Sequence, residues 1–116
     1  MEPAEERKVL NLLGLGVRGR LAIVGVDRVR EAVKSGTVRV AVVADDASVH
    51  SKEKVTRLLV ARGVTTLRVG SAAALGQVAG KETTAVIGVV DAQLARGILA
   101  AVGSVSEAQS GPRRNG

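Results

Sequence analysis

The chain contains no phenylalanine, tyrosine or tryptophan. That absence excludes a whole group of nucleic-acid modules. RRM, cold-shock and OB surfaces stack bases on exposed rings, and here there are none. Any recognition of nucleic acid must use backbone groups, arginine, lysine and shape. Cysteine is absent too, which excludes disulfides and thiolate metal sites. The single histidine, His50, cannot build a histidine metal cluster. No apolar run approaches the ~20 residues of a membrane-spanning helix. The first residues, Met-Glu-Pro-Ala-Glu-Glu, are acidic, unlike a secretory signal. The expectation is a soluble cytoplasmic protein without metal or cofactor.

What is present is aliphatic and basic. The length of 116 residues suits one domain around one core. Residues 1–102 are expected to form it. The small, polar, glycine-ended stretch 103–116 is expected to be a disordered tail. The formal charge is +6, from 17 basic and 11 acidic residues. Between residues 18 and 39, Arg18, Arg20, Arg28, Arg30, Lys34 and Arg39 face only Asp27 and Glu31 in number. Such a concentration suits a polyanion. A general aid to solubility is the competing reading.

The stretch Gly25–Gly36 organises the chain. Val26, Val29 and Val33 recur at i, i+3, i+7 and give an amphipathic helix its apolar stripe. A glycine opens the helix and another closes it, where positive φ is cheap. Its start offers free backbone N–H groups, no side chain at Gly25, and Arg28 and Arg30 nearby. That combination suits an anion or a nucleic-acid backbone. An ordinary surface helix with solvated charges is the bland alternative.

The remaining elements follow in order. Residues 4–13 read as a helix ended by Gly14 and Gly16, with Pro3 near its start. Gly14-Leu-Gly16-Val-Arg-Gly19 spells G-x-G-x-x-G, but a dinucleotide site needs a strand before it and a helix opening on it. Here the motif reads as a flexible turn after helix one, with Arg18 and Arg20 exposed. Leu21–Val24 is a short strand, and Val38–Ala44 a β-branched strand buried on both faces. A helix over Ser51–Arg62 stops at Gly63, and Thr65–Val69 is a strand. Ser71 caps a short helix, Ala72–Ala79, that ends at Gly80. Thr83–Val90 is the last strand, and Asp91 caps a helix over about Ala92–Val102. Alternation of this kind predicts an α/β fold: a three-layer α/β/α sandwich around a mixed, mostly parallel four-stranded sheet.

Asp45, Asp46, Ser48, His50 and Ser51 gather polar chemistry after the central strand, where ligands sit in open α/β sheets. Five polar residues in one loop are more often caps and turns. A hydrolase triad draws its members from separate segments, and no P-loop, G-x-S-x-G or H-E-x-x-H pattern occurs. The chain reads as non-enzymatic.

Four segments together resemble the ribosomal L-seven-Ae superfamily of kink-turn RNA binders, and within it the bacterial YlxQ-like branch. They are Arg18-Gly19-Arg20-Leu21 leading into Gly25 and its helix; Val42-Val43-Ala44-Asp45-Asp46-Ala47-Ser48; Val69-Gly70-Ser71 with Leu75-Gly76 and Gly80-Lys81-Glu82; and the strand Thr84–Val90. The resemblance covers roughly residues 7–101. It implies that Gly25 admits the backbone of a bent RNA. Asp27 falls where the family often has Asn or Lys, Arg28 where Glu or Gln reads guanine, and Glu31 where a lysine meets phosphate. The second contact loop corresponds to Gly80–Ala85, with Lys81, Glu82, Thr83 and Thr84. Arg18, Arg20, Arg30 and Lys34 are expected to hold phosphates. Arg28 can still offer a bidentate donor pair to guanine O6 and N7, whereas Glu31 reverses a charge. The implied protein is a monomeric, cytoplasmic, non-catalytic binder of structured RNA, ribosomal or containing a kink-turn. The alternative is a protein-interaction module of the same fold that has lost RNA binding, and Glu31 speaks for it.

Overall fold

A computed structural model describes residues 1–102; the expected tail, 103–116, lies outside the described residues. Nine elements alternate: α1 (Pro3–Arg18), β1 (Ala22–Val24), α2 (Val26–Lys34), β2 (Val40–Ala44), α3 (Val49–Ala61), β3 (Thr65–Val69), α4 (Ala72–Ala79), β4 (Val86–Val89) and α5 (Ala92–Ala101). β2 is buried along its whole length. Its period of two divides the core. Val40, Val42 and Ala44 pack with α1, α4 and α5 through Val9, Leu13, Leu75 and Ile98. Ala41 and Val43 face the opposite way, toward Val29 and Val33 of α2 and Val55 and Leu59 of α3. The expected three layers follow from that division. With no ring to fill space, the largest fully buried side chains are Leu13, Leu59, Leu75, Ile87 and Ile98, each contributing about 1.5–3 kcal/mol of burial.

The sheet order is β1-β4-β2-β3. β2 and β3 are parallel, but β4 runs antiparallel to both β1 and β2. The sheet is therefore mixed, with one parallel pairing of three, and not mostly parallel. Helices α2 and α3 each carry the chain back along the sheet, so β1, β2 and β3 share a direction. The segment after β3 does not. Gly80–Ala85 doubles back along α4, with the Lys81 N–H donating to the Gly76 carbonyl (2.7 Å) and the Thr84 N–H to the Ala72 carbonyl (3.0 Å). The chain thus re-enters the sheet at the end it left, and β4 slots between β1 and β2.

The first helix also differs from expectation. α1 runs through Gly14 and Gly16 to Arg18, so G-x-G-x-x-G lies on a helix and at its end, not in a flexible turn. Both glycines are buried. A Cβ on Gly16 would stand 2.5 Å from the Leu94 side chain, and one on Gly14 3.7 Å from Val78. They let α1 approach α5 and α4, and that packing outweighs their poor helix propensity. The helix ends instead in a Schellman arrangement. The Leu21 N–H donates to the Gly16 carbonyl (2.7 Å) and the Arg20 N–H to the Val17 carbonyl (3.3 Å). Arg20 holds the left-handed position, with φ 61°.

Candidate nucleic-acid interface

Three strands end, and three helices begin, at one end of the sheet. Ser48 accepts from the Ser51 N–H (3.1 Å) at α3, Ser71 from the Ala74 N–H (3.0 Å) at α4, and Asp91, at the far end, from the Leu94 N–H (2.8 Å) at α5. α2 is different. Its N-cap is Gly25, and no side chain caps it. Gly25 has φ 102° and ψ 151°, a conformation that a side chain would strain. No atom lies within 4 Å of where its Cβ would stand, so the protein's own loops leave the entrance clear. The first-turn N–H groups of α2 point there with the positive end of the helix dipole.

The loop 80–85 is coupled to this entrance. Gly25 donates its N–H to the carbonyl of Val86, the first residue of β4 (3.0 Å). The loop is seated by Gly76, where a Cβ would meet the backbone of Glu82 and Thr83 at 2.7 Å. Lys81, Glu82 and Thr83 are exposed. Thr84 is not: it is 5% exposed, and its hydroxyl is buried without a partner. Only the backbone of Thr84 could reach a ligand.

Residues expected to act together on α2 are separated by its pitch. Arg28 and Arg30 lie about 200° apart around the axis. Arg28 sits with Asp27 and Glu31 beside a cavity of ≈ 480 Å³ floored by Ile23, Ala32 and Thr37. Arg30 lines a cavity of ≈ 490 Å³ between α2 and α3, with His50, Glu53, Lys54, Arg57, Leu58 and Ala61. Lys34 lies on the outer face, 3.9 Å from Glu31. The excess positive charge at the entrance is therefore one-sided. One cation meets two carboxylates on the Arg28 flank, and three cations meet one on the Arg30 flank.

Arg18 and Arg20 are exposed as expected, but at the other end of the sheet. They precede β1, near Val90, whose N–H donates to the Leu21 carbonyl (2.9 Å). They do not converge on Gly25. Conversely, Lys54 and Arg57 are not among the residues the sequence singles out, and His50 stands out there only as part of the polar loop after the central strand. Their signal is the 50, 54, 57 spacing on α3, which places them on one stripe; what that stripe faces is a tertiary matter.

The polar loop after β2 is engaged structurally. Asp46 accepts from the Ala72 N–H at the start of α4 (2.6 Å), and Ser48 caps α3. Asp45 lies 3.7 Å from Arg68, and its carbonyl accepts from the Lys52 ammonium (2.6 Å). His50 lines the α2–α3 cavity. Among the described residues no group of three His, Asp or Glu is placed to hold a metal ion, and no helix is long and apolar enough to cross a membrane.

Known proteins share this fold. A protein of unknown function from Bacillus halodurans is 34% identical, with a TM-score of 0.75 over 83% of this chain and 97% of its own. The Giardia lamblia 15.5kD RNA binding protein is 21% identical, with a TM-score of 0.79 over 91% of each chain; that likeness concerns the fold. No curated protein matches significantly. Residues 7–97, nearly all of the described body, match one family. With the glycine entrance, the returning loop and the inserted β4 in place, the chain belongs to the ribosomal protein L7Ae/L30e/S12e/Gadd45 family.

Proposed function

We propose that the protein is a non-catalytic RNA-binding module that receives structured RNA at the start of α2 and at the loop 80–85. One observation carries this reading: the uncapped, side-chain-free helix entrance at Gly25, open to solvent and tied to the loop through Val86. Exposed amide N–H groups and the helix dipole bind phosphate oxygens. Arg28 lies beside the entrance, where its guanidinium can read guanine O6 and N7. Membership of the family and the fold shared with an RNA-binding protein from Giardia support the same reading. A bent RNA of the kink-turn kind, ribosomal or otherwise, fits a surface that presents backbone and loop together. We read it further as a bacterial, YlxQ-like member acting as a cytoplasmic monomer; the 34% identity to a Bacillus halodurans protein supports the bacterial part of that reading.

A second reading has its own support. Val49 and Val60 on α3 are 68% and 72% exposed, and Asp27 and Glu31 crowd Arg28, which suits a protein partner. Pull-down from nuclease-treated extract separates the two: partners that survive nuclease favour protein docking. For the first reading the direct measurement is binding of a labelled kink-turn RNA across a salt series. Arg28→Ala is expected to weaken binding by about 1–3 kcal/mol and to relax the preference for guanine. If neither Arg28→Ala nor Arg30→Glu changes affinity, RNA does not dock here.

A further inference from the structure

We infer that the groove between α2 and α3 is a second RNA seat, taking a single-stranded phosphodiester run that continues past the α2 entrance. The inference rests on the RNA reading above but adds residues outside it: Lys54, Arg57 and His50. The groove has a volume of ≈ 490 Å³ and is lined by Arg30, Lys54 and Arg57 against one carboxylate, Glu53. Glu53 is turned toward Arg57, 3.8 Å away. Among the described residues Arg30 and Lys54 pair with no carboxylate. The Nε of Arg30 is buried and has no hydrogen-bond partner. A desolvated guanidinium N–H without an acceptor is an unfavourable arrangement that a bound phosphate oxygen would relieve.

The geometry fixes the kind of occupant. His50 stands in the first turn of α3, and Lys54 and Arg57 follow at i+4 and i+7, about 10 Å along the helix. Both helices begin at the end of the sheet that carries Gly25, so the groove opens beside the entrance and runs away from it. Leu58 and Ala61 supply a small apolar side to it. There is no ring on which a base could stack, so contact is with the backbone and tolerates any sequence. An acidic peptide would present its carboxylates on flexible stems; a phosphodiester strand carries one fixed charge per nucleotide, which matches cations spaced along one helix face.

The absence of aromatic residues also supplies the probe. His50 is the only side chain with aromatic ring protons, so in carbon-13-labelled protein its ring signals stand alone and report groove occupancy. The full chain is titrated with a fluorescein-labelled kink-turn hairpin carrying a single-stranded tail, and with the same hairpin without the tail. The tailed RNA is expected to shift the His50 signals and the tailless one to leave them. Lys54→Gln with Arg57→Gln is expected to weaken the tailed RNA on the order of tenfold at low salt and to flatten its slope by about 1.4. The tailless RNA should bind that variant as before, while Arg28→Ala weakens both. If the double variant binds both RNAs like the parent while Arg28→Ala weakens both, the groove seat is wrong and the entrance stands. If the parent binds neither RNA, both readings fall. If poly-glutamate shifts His50 where the tailed RNA does not, the groove belongs to an acidic protein partner and the inference is overturned.

Discussion

The two flanks of α2 are built from the same nine residues and differ in almost everything else. On one flank Arg28 stands between Asp27 and Glu31 above a cavity floored by Ile23, Ala32 and Thr37. On the other, Arg30 faces Lys54 and Arg57 across a groove whose only carboxylate is already committed to Arg57. Residues 27–34 read along the chain as one mixed charge run. A helix turns each successive residue by about 100°, and the run separates into an acid-leaning flank and a basic one. Net charge and local density in sequence therefore misjudge where a polyanion would be welcome. The entrance at Gly25 is common to both flanks, and each gives it a different character.

The largest effect is expected at the loop tied to the entrance that both flanks share. Gly76→Ala would drive a Cβ into the backbone of Glu82 and Thr83 and displace the loop 80–85. The cost should be about 1–3 kcal/mol, measured by urea unfolding followed by far-UV circular dichroism, because the chain has no tryptophan or tyrosine to report. Binding of the kink-turn RNA should weaken with it, and a loop that moves without changing affinity lies outside the interface. Next in size is Glu31→Lys, which makes the acid-leaning flank resemble its opposite. Affinity for the RNA at low salt should rise about fivefold and the salt slope steepen by about 0.9 if the new lysine reaches a phosphate. The lost Glu31–Lys34 pair is exposed and worth at most about 0.5 kcal/mol. An unchanged slope would show that RNA keeps to the Arg30 side.

The smallest effect on binding is expected far from both flanks. Arg20 holds φ 61° at the end of α1, where glycine is the unstrained residue. Arg20→Gly should gain about 0.5–1 kcal/mol net of the freer unfolded chain, read as a higher urea midpoint. Its RNA affinity should change less than twofold, since Arg20 precedes β1 at the opposite end of the sheet from Gly25. A large loss would mean that the RNA wraps around the edge strand and would make the contrast between flanks secondary.

Much of this architecture was legible beforehand. Ser71 and Asp91 read as caps and Gly80 as a stop, and each performs that role; a cap is a local contact between a side-chain oxygen and an amide three residues on. The continuous β-branched run before Asp45 reads as a strand buried on both faces, and β2 is one. Gly25 reads as an open helix start, and no atom beyond its chain neighbours lies within 4 Å of where its Cβ would stand. Gly14 and Gly16 read as a helix end although they lie inside α1, because a glycine that ends a helix and one that lets another helix approach look alike in a sequence. The expected sheet is mostly parallel and the observed one is not, because the connection before β4 is long enough for either sense. Only the return of Lys81 and Thr84 onto α4 decides it. Arg18, Arg20, Arg28 and Arg30 form one group by proximity along the chain, which a sheet and a helix respectively undo.

Most of the elements, the caps of α4 and α5, an aliphatic core and the need for any nucleic-acid contact to work without rings are written into the chain, because they follow from interactions within a few residues and from composition. Where β4 inserts, which helices α1 approaches through its glycines and which charges share a surface are settled by folding. Those outcomes depend on contacts between residues tens of positions apart. No local pattern specifies them until the chain has folded.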